Sequence, residues 1–220
     1  MAIRFDAADD RVYVAATFPD PTAGGLTILG WWRVRVDRDD YSAYYRTSTG
    51  GSTIHTVETQ STGLSVNIFT AAGEITDTYV NTVDEWVGIA VVDNGSGTVT
   101  QYVGPLGGAT VSASGSIATG TPDQLCIAGR SQSDATEWFN GAAAHVRVFA
   151  DTLTQSEIEA EWASPTPVLT AWADWPLSAD LQDTAGSDRH LTAVAGSPAF
   201  EAGPLDGGGG DTTTNAVWTR

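Results

Sequence analysis

The sequence predicts an all-β protein, built as a two-sheet antiparallel sandwich with one short capping helix near residues 155–163. Apolar and polar residues alternate in many short runs separated by Gly, Asn, Asp and Pro, which is typical of sandwiches and barrels. Apolar residues make up 41% of the 220 residues and charged residues 17%, so the chain can bury a core. We expect one domain over residues 1–205, followed by a Gly-rich tail over residues 206–220.

The clearest strand runs from residue 26 to residue 37. Successive side chains of a strand point to opposite faces of the sheet. The face that we predict to be buried carries Leu26, Ile28, Gly30, Trp32, Val34 and Val36. The opposite face carries Trp31, Arg33 and Arg35. We expect this face to meet a ligand; the alternative is that a loop or a neighbouring protein covers Trp31.

The same alternation predicts the remaining strands. They cover residues 2–5, 11–14, 41–47, 54–59, 64–69, 77–79, 86–92, 98–103, 111–114, 124–128, 142–149, 169–177, 190–194 and 199–201. Residues 93–97 read Asp-Asn-Gly-Ser-Gly, a strong signal for a hairpin between two of them.

One helix has clear boundaries. Thr154 and Glu157 have the spacing of a capping box, and Leu153 can pack on Ile158 as a hydrophobic staple. Ser164 precedes a proline, which predicts the end of the helix.

Charge and cysteine content exclude several functions. Asp and Glu number 27 against ten Arg and no Lys, a formal charge of −17, which disfavours nucleic acids and anionic membranes. Cys126 is the single cysteine, so no internal disulfide can form, and its apolar neighbours predict a buried side chain. No window reaches the roughly 18 apolar residues of a membrane span, and the first residues do not resemble a signal peptide.

Three segments together resemble the laminin-G-like type of the concanavalin A-like lectin/glucanase superfamily. They are Ala-Ile-Arg-Phe-Asp at 2–6 with Asp-Arg-Val-Tyr-Val at 10–14, Glu-Trp-Val-Gly-Ile-Ala-Val-Val-Asp-Asn-Gly at 85–95, and Phe-Asn-Gly-Ala-Ala-Ala-His-Val-Arg-Val-Phe at 139–149. The resemblance implies a jelly-roll sandwich. One stretch departs in chain order: residues 172–192 look like a segment that usually precedes the opening strand.

No catalytic or metal motif stands out. A retaining glycosidase needs two carboxyls about 5–5.5 Å apart, and no strand carries the paired carboxylates of the superfamily's glucanases. We therefore predict a protein that is not an enzyme and has no cofactor. Calcium stays an open alternative, because aspartates cluster at 37–40 and at Asp180, Asp183 and Asp188.

Arginine and tryptophan mark the candidate ligand-binding face. Sugar-binding jelly rolls stack sugar rings on aromatic side chains and hold hydroxyls with polar ones. We predict a site formed by Trp31, Arg33, Arg35, His145 and Arg147.

The function predicted from these features is surface recognition, with a carbohydrate as the expected ligand and a virion or cell-surface protein as the other possible partner. The alternatives are a structural or decoration protein of a phage capsid or tail and, more distantly, a polysaccharide hydrolase. We expect display on a virion or cell surface, in a homo-oligomer or larger assembly. In the tail, Val217, Trp218 and Arg220 offer an apolar anchor and a cation, which predicts an attachment segment.

Overall fold

The computed structural model describes residues 1–7, 10–36, 42–59, 65–70, 73–116, 120–129, 138–194 and 199–206. Over these residues the chain forms two antiparallel sheets, one α-helix and a short 3-10 helix (Pro21–Ala23). The predicted all-β jelly-roll sandwich is confirmed. The predicted attachment residues Val217, Trp218 and Arg220 lie outside the described residues, as do the aspartates at 37–40.

The first sheet has eight strands. Seven follow the order β10-β9-β8-β3-β12-β1-β15, and β13 pairs with β12. Their bounds are β1 (Ala2–Phe5), β3 (Leu26–Val34), β8 (Trp86–Asp93), β9 (Thr98–Pro105), β10 (Val111–Ser116), β12 (Gly141–Phe149), β13 (Ala173–Trp175) and β15 (Ala199–Glu201).

The second sheet has seven strands in the order β14-β2-β11-β4-β5-β6-β7. Their bounds are β2 (Val12–Ala15), β4 (Ser42–Thr49), β5 (Ser52–Thr59), β6 (Ser65–Thr70), β7 (Gly73–Val80), β11 (Gln124–Ile127) and β14 (Thr192–Ala193).

The core between the sheets follows the alternation of the strands. Leu26, Ile28, Trp32 and Val34 of β3 point into it, and Trp32 stacks on Tyr45 of the opposite sheet with ring centroids 5.7 Å apart. Gly30 makes room for this tryptophan, because a Cβ there would lie 2.8 Å from Cη2 of Trp32. The buried face predicted for β3 is correct over these residues.

The helix α1 (Gln155–Trp162) has the predicted capping box. The Thr154 hydroxyl oxygen accepts from the Glu157 backbone N–H, and the Glu157 carboxylate accepts from the Thr154 backbone N–H at 2.8 Å. Ile158 and Trp162 are buried against the outer face of the first sheet. A second apolar cluster therefore lies outside the sandwich core.

Several predicted strands have different bounds. β7 begins at Gly73 rather than residue 77, and β3 ends at Val34. The predicted strand 169–177 is reduced to β13, because residues 164–172 run back along the end of α1 instead of pairing in the sheet. No helix of the described part of the chain is long and apolar enough to cross a membrane.

Candidate functional site

Trp31 lies on the outer face of the first sheet, as the alternation predicts, but it is not open to solvent. Its side chain is only 3% exposed, because α1 lies across it. The indole Nε1 donates to the Trp162 carbonyl at 3.1 Å, and the two rings are 5.8 Å apart. The prediction that Trp31 is an open stacking platform is wrong.

The prediction that Arg147 belongs to the ligand-binding face is also wrong. Its side chain is fully buried beneath the end of α1. Nη1 donates to the Glu161 carboxylate and carbonyl at 2.8 Å each, and Nε donates to Asp174 at 3.1 Å. Nη2 donates to the Ser164 carbonyl at 2.9 Å. The arginine fastens the helix to the sheet, so it is not available to a ligand.

His145 is buried in an irregular part of β12. The register shifts between Ala144 and Arg147, and His145 has a φ of +49°. Burial, with a smaller effect of the Arg147 charge, lowers its pKa to about 4. The imidazole is therefore neutral near pH 7 and faces the protein, so the prediction that His145 is a surface ligand contact is wrong.

Arg33 and Arg35 remain near the surface, with side chains 20% and 25% exposed. Each donates through Nη2 to one carboxylate oxygen of Glu201, which is itself buried. The Arg33 guanidinium carbon lies 5.2 Å from the centroid of the Trp86 ring. These two arginines are thus already paired by the chain's own carboxylate.

A groove lies between α1 and the turn that joins β9 to β10. We call it the helix–hairpin groove; its volume is about 480 Å³. It is lined by Trp31, Pro105, Leu106, Gly107, Gly108, Thr110, Glu159, Trp162, Ala163 and Leu205.

The floor of the groove depends on a glycine in β8, Gly88. A Cβ at Gly88 would lie 2.7 Å from the Trp162 ring, so this glycine lets the tryptophan lie flat on the sheet. Leu106 forms the opposite wall and is 48% exposed, although its backbone continues the sheet by donating to the Trp86 carbonyl. The groove is therefore apolar at its base and along one wall.

The polar rim consists of Glu159 and Thr110. The Glu159 carboxylate accepts from Gln155 Nε2 at 2.8 Å. Hydrogen bonds from Gln155 and from Thr110 hold the pKa of Glu159 below its ordinary value, so the side chain is ionised at neutral pH. An ionised carboxylate accepts hydrogen bonds, which suits the hydroxyl donors of a ligand.

Residues 6–159 match a laminin G family model described as the concanavalin A-like lectin/glucanases superfamily. This match spans well over half of the chain. The chain belongs to the concanavalin A-like lectin/glucanases superfamily.

Solved structures share the fold of this superfamily member. A heptameric SAP-like pentraxin from Limulus polyphemus has a TM-score of 0.54 at 14% identity, over 71% of this chain and 79% of its own. A Bacteroides ovatus protein assigned as carbohydrate-binding has a TM-score of 0.59 at 14% identity, over 90% of this chain and 60% of its own. The enzymatically active domain of tailspike protein 2 of bacteriophage CBA120 has a TM-score of 0.51 at 12% identity, over 70% of this chain and 26% of its own. No curated protein matches the chain.

Sequence reasoning missed most of the groove of this lectin-like fold. Leu106 and Thr110 lie in or beside a turn, and Glu159 lies on a short surface helix, so no local pattern marks these residues as a site. Trp162 follows Ile158 by four residues, so the two share a face of the helix. This spacing does not show that the Trp162 ring meets Trp31. The pairing of Arg33 and Arg35 with Glu201 was also missed, because 166 or more residues separate the partners.

The aspartates considered for calcium hold a loop together. Asp183 Oδ1 accepts from the backbone N–H groups of Asp174 and Ala185, each at 3.0 Å. Asp180 accepts from Gln182, and the Asp188 side chain is almost fully exposed. Within the described ranges, no three His, Cys, Asp or Glu side chains are grouped to hold a metal ion.

Proposed function

We propose that this protein is a non-catalytic carbohydrate-binding module whose glycan lies in the helix–hairpin groove. The observation that carries the proposal is the combination of an apolar floor with a polar rim in one open groove. Sugars present both apolar faces and hydroxyl edges, so they are suited to such a surface. The volume of about 480 Å³ also falls within the range of small-molecule sites, roughly 300–1,000 Å³.

Within this groove, Leu106 offers the exposed apolar surface and Glu159 offers hydroxyl acceptors. Trp31 and Trp162 form the floor rather than a stacking platform, because little of either ring reaches solvent. The half-buried Trp86, with Arg33 beside it, extends the surface along the same sheet face. Arg33 and Arg35 stay in the proposed site at its margin, whereas His145 and Arg147 support the fold.

Binding is a better explanation than hydrolysis for the Glu159 carboxylate of the groove. Glycosidases place two carboxyl groups about 5–5.5 Å apart for retention or about 6.5–9.5 Å apart for inversion. Glu159 is the one ionisable side chain among the described residues that line the groove. The similarity in fold to a protein assigned as carbohydrate-binding is consistent with this role.

The test is glycan-array screening followed by calorimetric titration of the strongest ligand. For an open groove we expect a Kd of the order of 10⁻⁵ to 10⁻³ M, roughly −4 to −7 kcal/mol. Leu106→Ala and Glu159→Gln should each weaken binding about 5- to 50-fold by removing an apolar contact and a charged acceptor.

Matched controls are Val168→Ala and Asp188→Asn, because both side chains are strongly exposed and neither lines the groove. These variants should bind as the parent protein does. The proposal is overturned if no glycan on the array binds, or if the groove variants and the controls bind equally well.

We further propose that the module is displayed on a cell or virion surface. The family match supports this role, because laminin-G-like domains are typically extracellular. Antibodies against the protein should label intact cells or particles, and labelling seen only after lysis would contradict surface display.

A further inference from the structure

We infer that the helix–hairpin groove selects uncharged oligosaccharides and rejects glycans that carry carboxylates or sulfates. This inference rests on the proposed function and deepens it by naming the class of ligand. It is carried by the distribution of charge around the groove.

The groove itself carries a negative charge. Glu159 is the one residue with an ionisable side chain among the described residues that line the groove. The lowered pKa of Glu159 keeps its carboxylate ionised. Glu157 lies on the same eight-residue helix, which has no basic residue in its last turn, whereas the charge of the buried Glu161 is balanced by Arg147. An anionic sugar would therefore meet a carboxylate at the rim.

The arginines of this sheet face offset the field only in part. Arg33 and Arg35 share the single Glu201 carboxylate, which leaves one positive charge at the margin, and Arg4 pairs with Asp6 at 3.0 Å. Glu159 lines the groove itself, whereas none of these arginines does. The formal charge of −17 on the whole chain acts in the same direction at long range.

Matched oligosaccharide pairs on an array test the inference. Each pair has the same linkage and length and differs only at C6: a β1,4-glucose tetramer against its glucuronate counterpart, and an α1,4-galactose tetramer against its galacturonate counterpart. Lactose against sialyllactose adds a third comparison. We expect the uncharged member of any bound pair to bind roughly 5- to 20-fold more tightly, from Coulomb repulsion near a protein surface.

Salt and a charge-removing variant identify the cause. Raising NaCl from about 20 mM to 500 mM should tighten the binding of the acidic member, because salt screens exposed charges. The Kd of the uncharged member should stay the same. Glu159→Gln should reduce the discrimination at least about threefold, and Asp188→Asn should leave it unchanged.

The outcomes separate the two proposals. Tighter binding of an acidic member than of its uncharged partner overturns this inference and leaves the proposed glycan-binding function intact. The inference is also overturned if the ratio of the Kd values of the acidic and uncharged members is the same in Glu159→Gln and in high salt. The discrimination would then have another cause. If no member of any pair binds and the wider array is also negative, both proposals fail.

Discussion

The Arg147 guanidinium and the Glu161 carboxylate form an ion pair at 2.8 Å, and neither side chain reaches solvent. The same carboxylate accepts from the backbone N–H groups of Val168 and Leu169 at 2.9 and 2.7 Å. Asp174 of β13 completes the arrangement on the other side of Arg147. One arginine thus joins the helix, the chain that follows it and the sheet.

Arg147→Met should destabilise the protein by about 3–5 kcal/mol, because it leaves the buried carboxylates of Glu161 and Asp174 without their cation. Urea unfolding followed by circular dichroism measures the change. Replacing the paired Arg4 should cost far less, since its side chain and that of Asp6 are partly exposed. An Arg147→Met variant that unfolds like the parent but loses glycan binding would contradict the structural role.

Trp31→Ala should unfold at a much lower urea concentration, with a loss of about 3–5 kcal/mol. The indole is buried beneath α1, and the substitution removes both its packing on Trp162 and its hydrogen bond to the Trp162 carbonyl. Thermal and urea unfolding measure this loss. A near-normal Tm combined with lost glycan binding would instead restore the open-platform interpretation of Trp31.

Stability should fall as the pH drops from about 6.5 towards 4. His55 lies in the core beside Tyr45, and burial lowers its pKa to about 4, whereas the unfolded chain binds a proton near 6.5. The unfolded state therefore holds more protons in this window, so protonation favours unfolding by at most about 3 kcal/mol.

His55→Leu tests this assignment by comparing urea unfolding at pH 7.5 and pH 4.5. Among the described residues, neither ring nitrogen of His55 has a hydrogen-bond partner, so leucine leaves none of their polar atoms newly unsatisfied. The variant should lose less stability between the two pH values than the parent does. Equal losses would show that the acid sensitivity comes from other groups.

Hydrolysis of polysaccharides should stay at background. Release of reducing ends from β-glucans, galactans and bacterial cell-wall polysaccharides measures it. The reason is that Glu159 has no second carboxyl group beside it among the described residues lining the groove. Turnover that disappears in Glu159→Gln would contradict the prediction and identify this groove as an active site.

Much of the local structure of this protein could be predicted from its amino-acid sequence. Alternation in β3 shows which side chains share a face, and the spacing of Thr154 and Glu157 predicts the start of the helix. Both signals can be detected in the sequence because they depend on neighbours within a few residues. The family resemblance likewise rests on contiguous motifs, and the family match confirms it.

Which segments cover each face of the sheets depends on contacts between distant parts of the chain. Alternation places Trp31 on the outer face of its sheet, but it carries no information that α1, some 130 residues later, packs there. The pairing of Arg33 with Glu201 and of Arg147 with Asp174 likewise joins residues far apart in the chain. The groove combines a turn, a helix end and Leu205, so its position depends on how distant segments pack rather than on any local pattern.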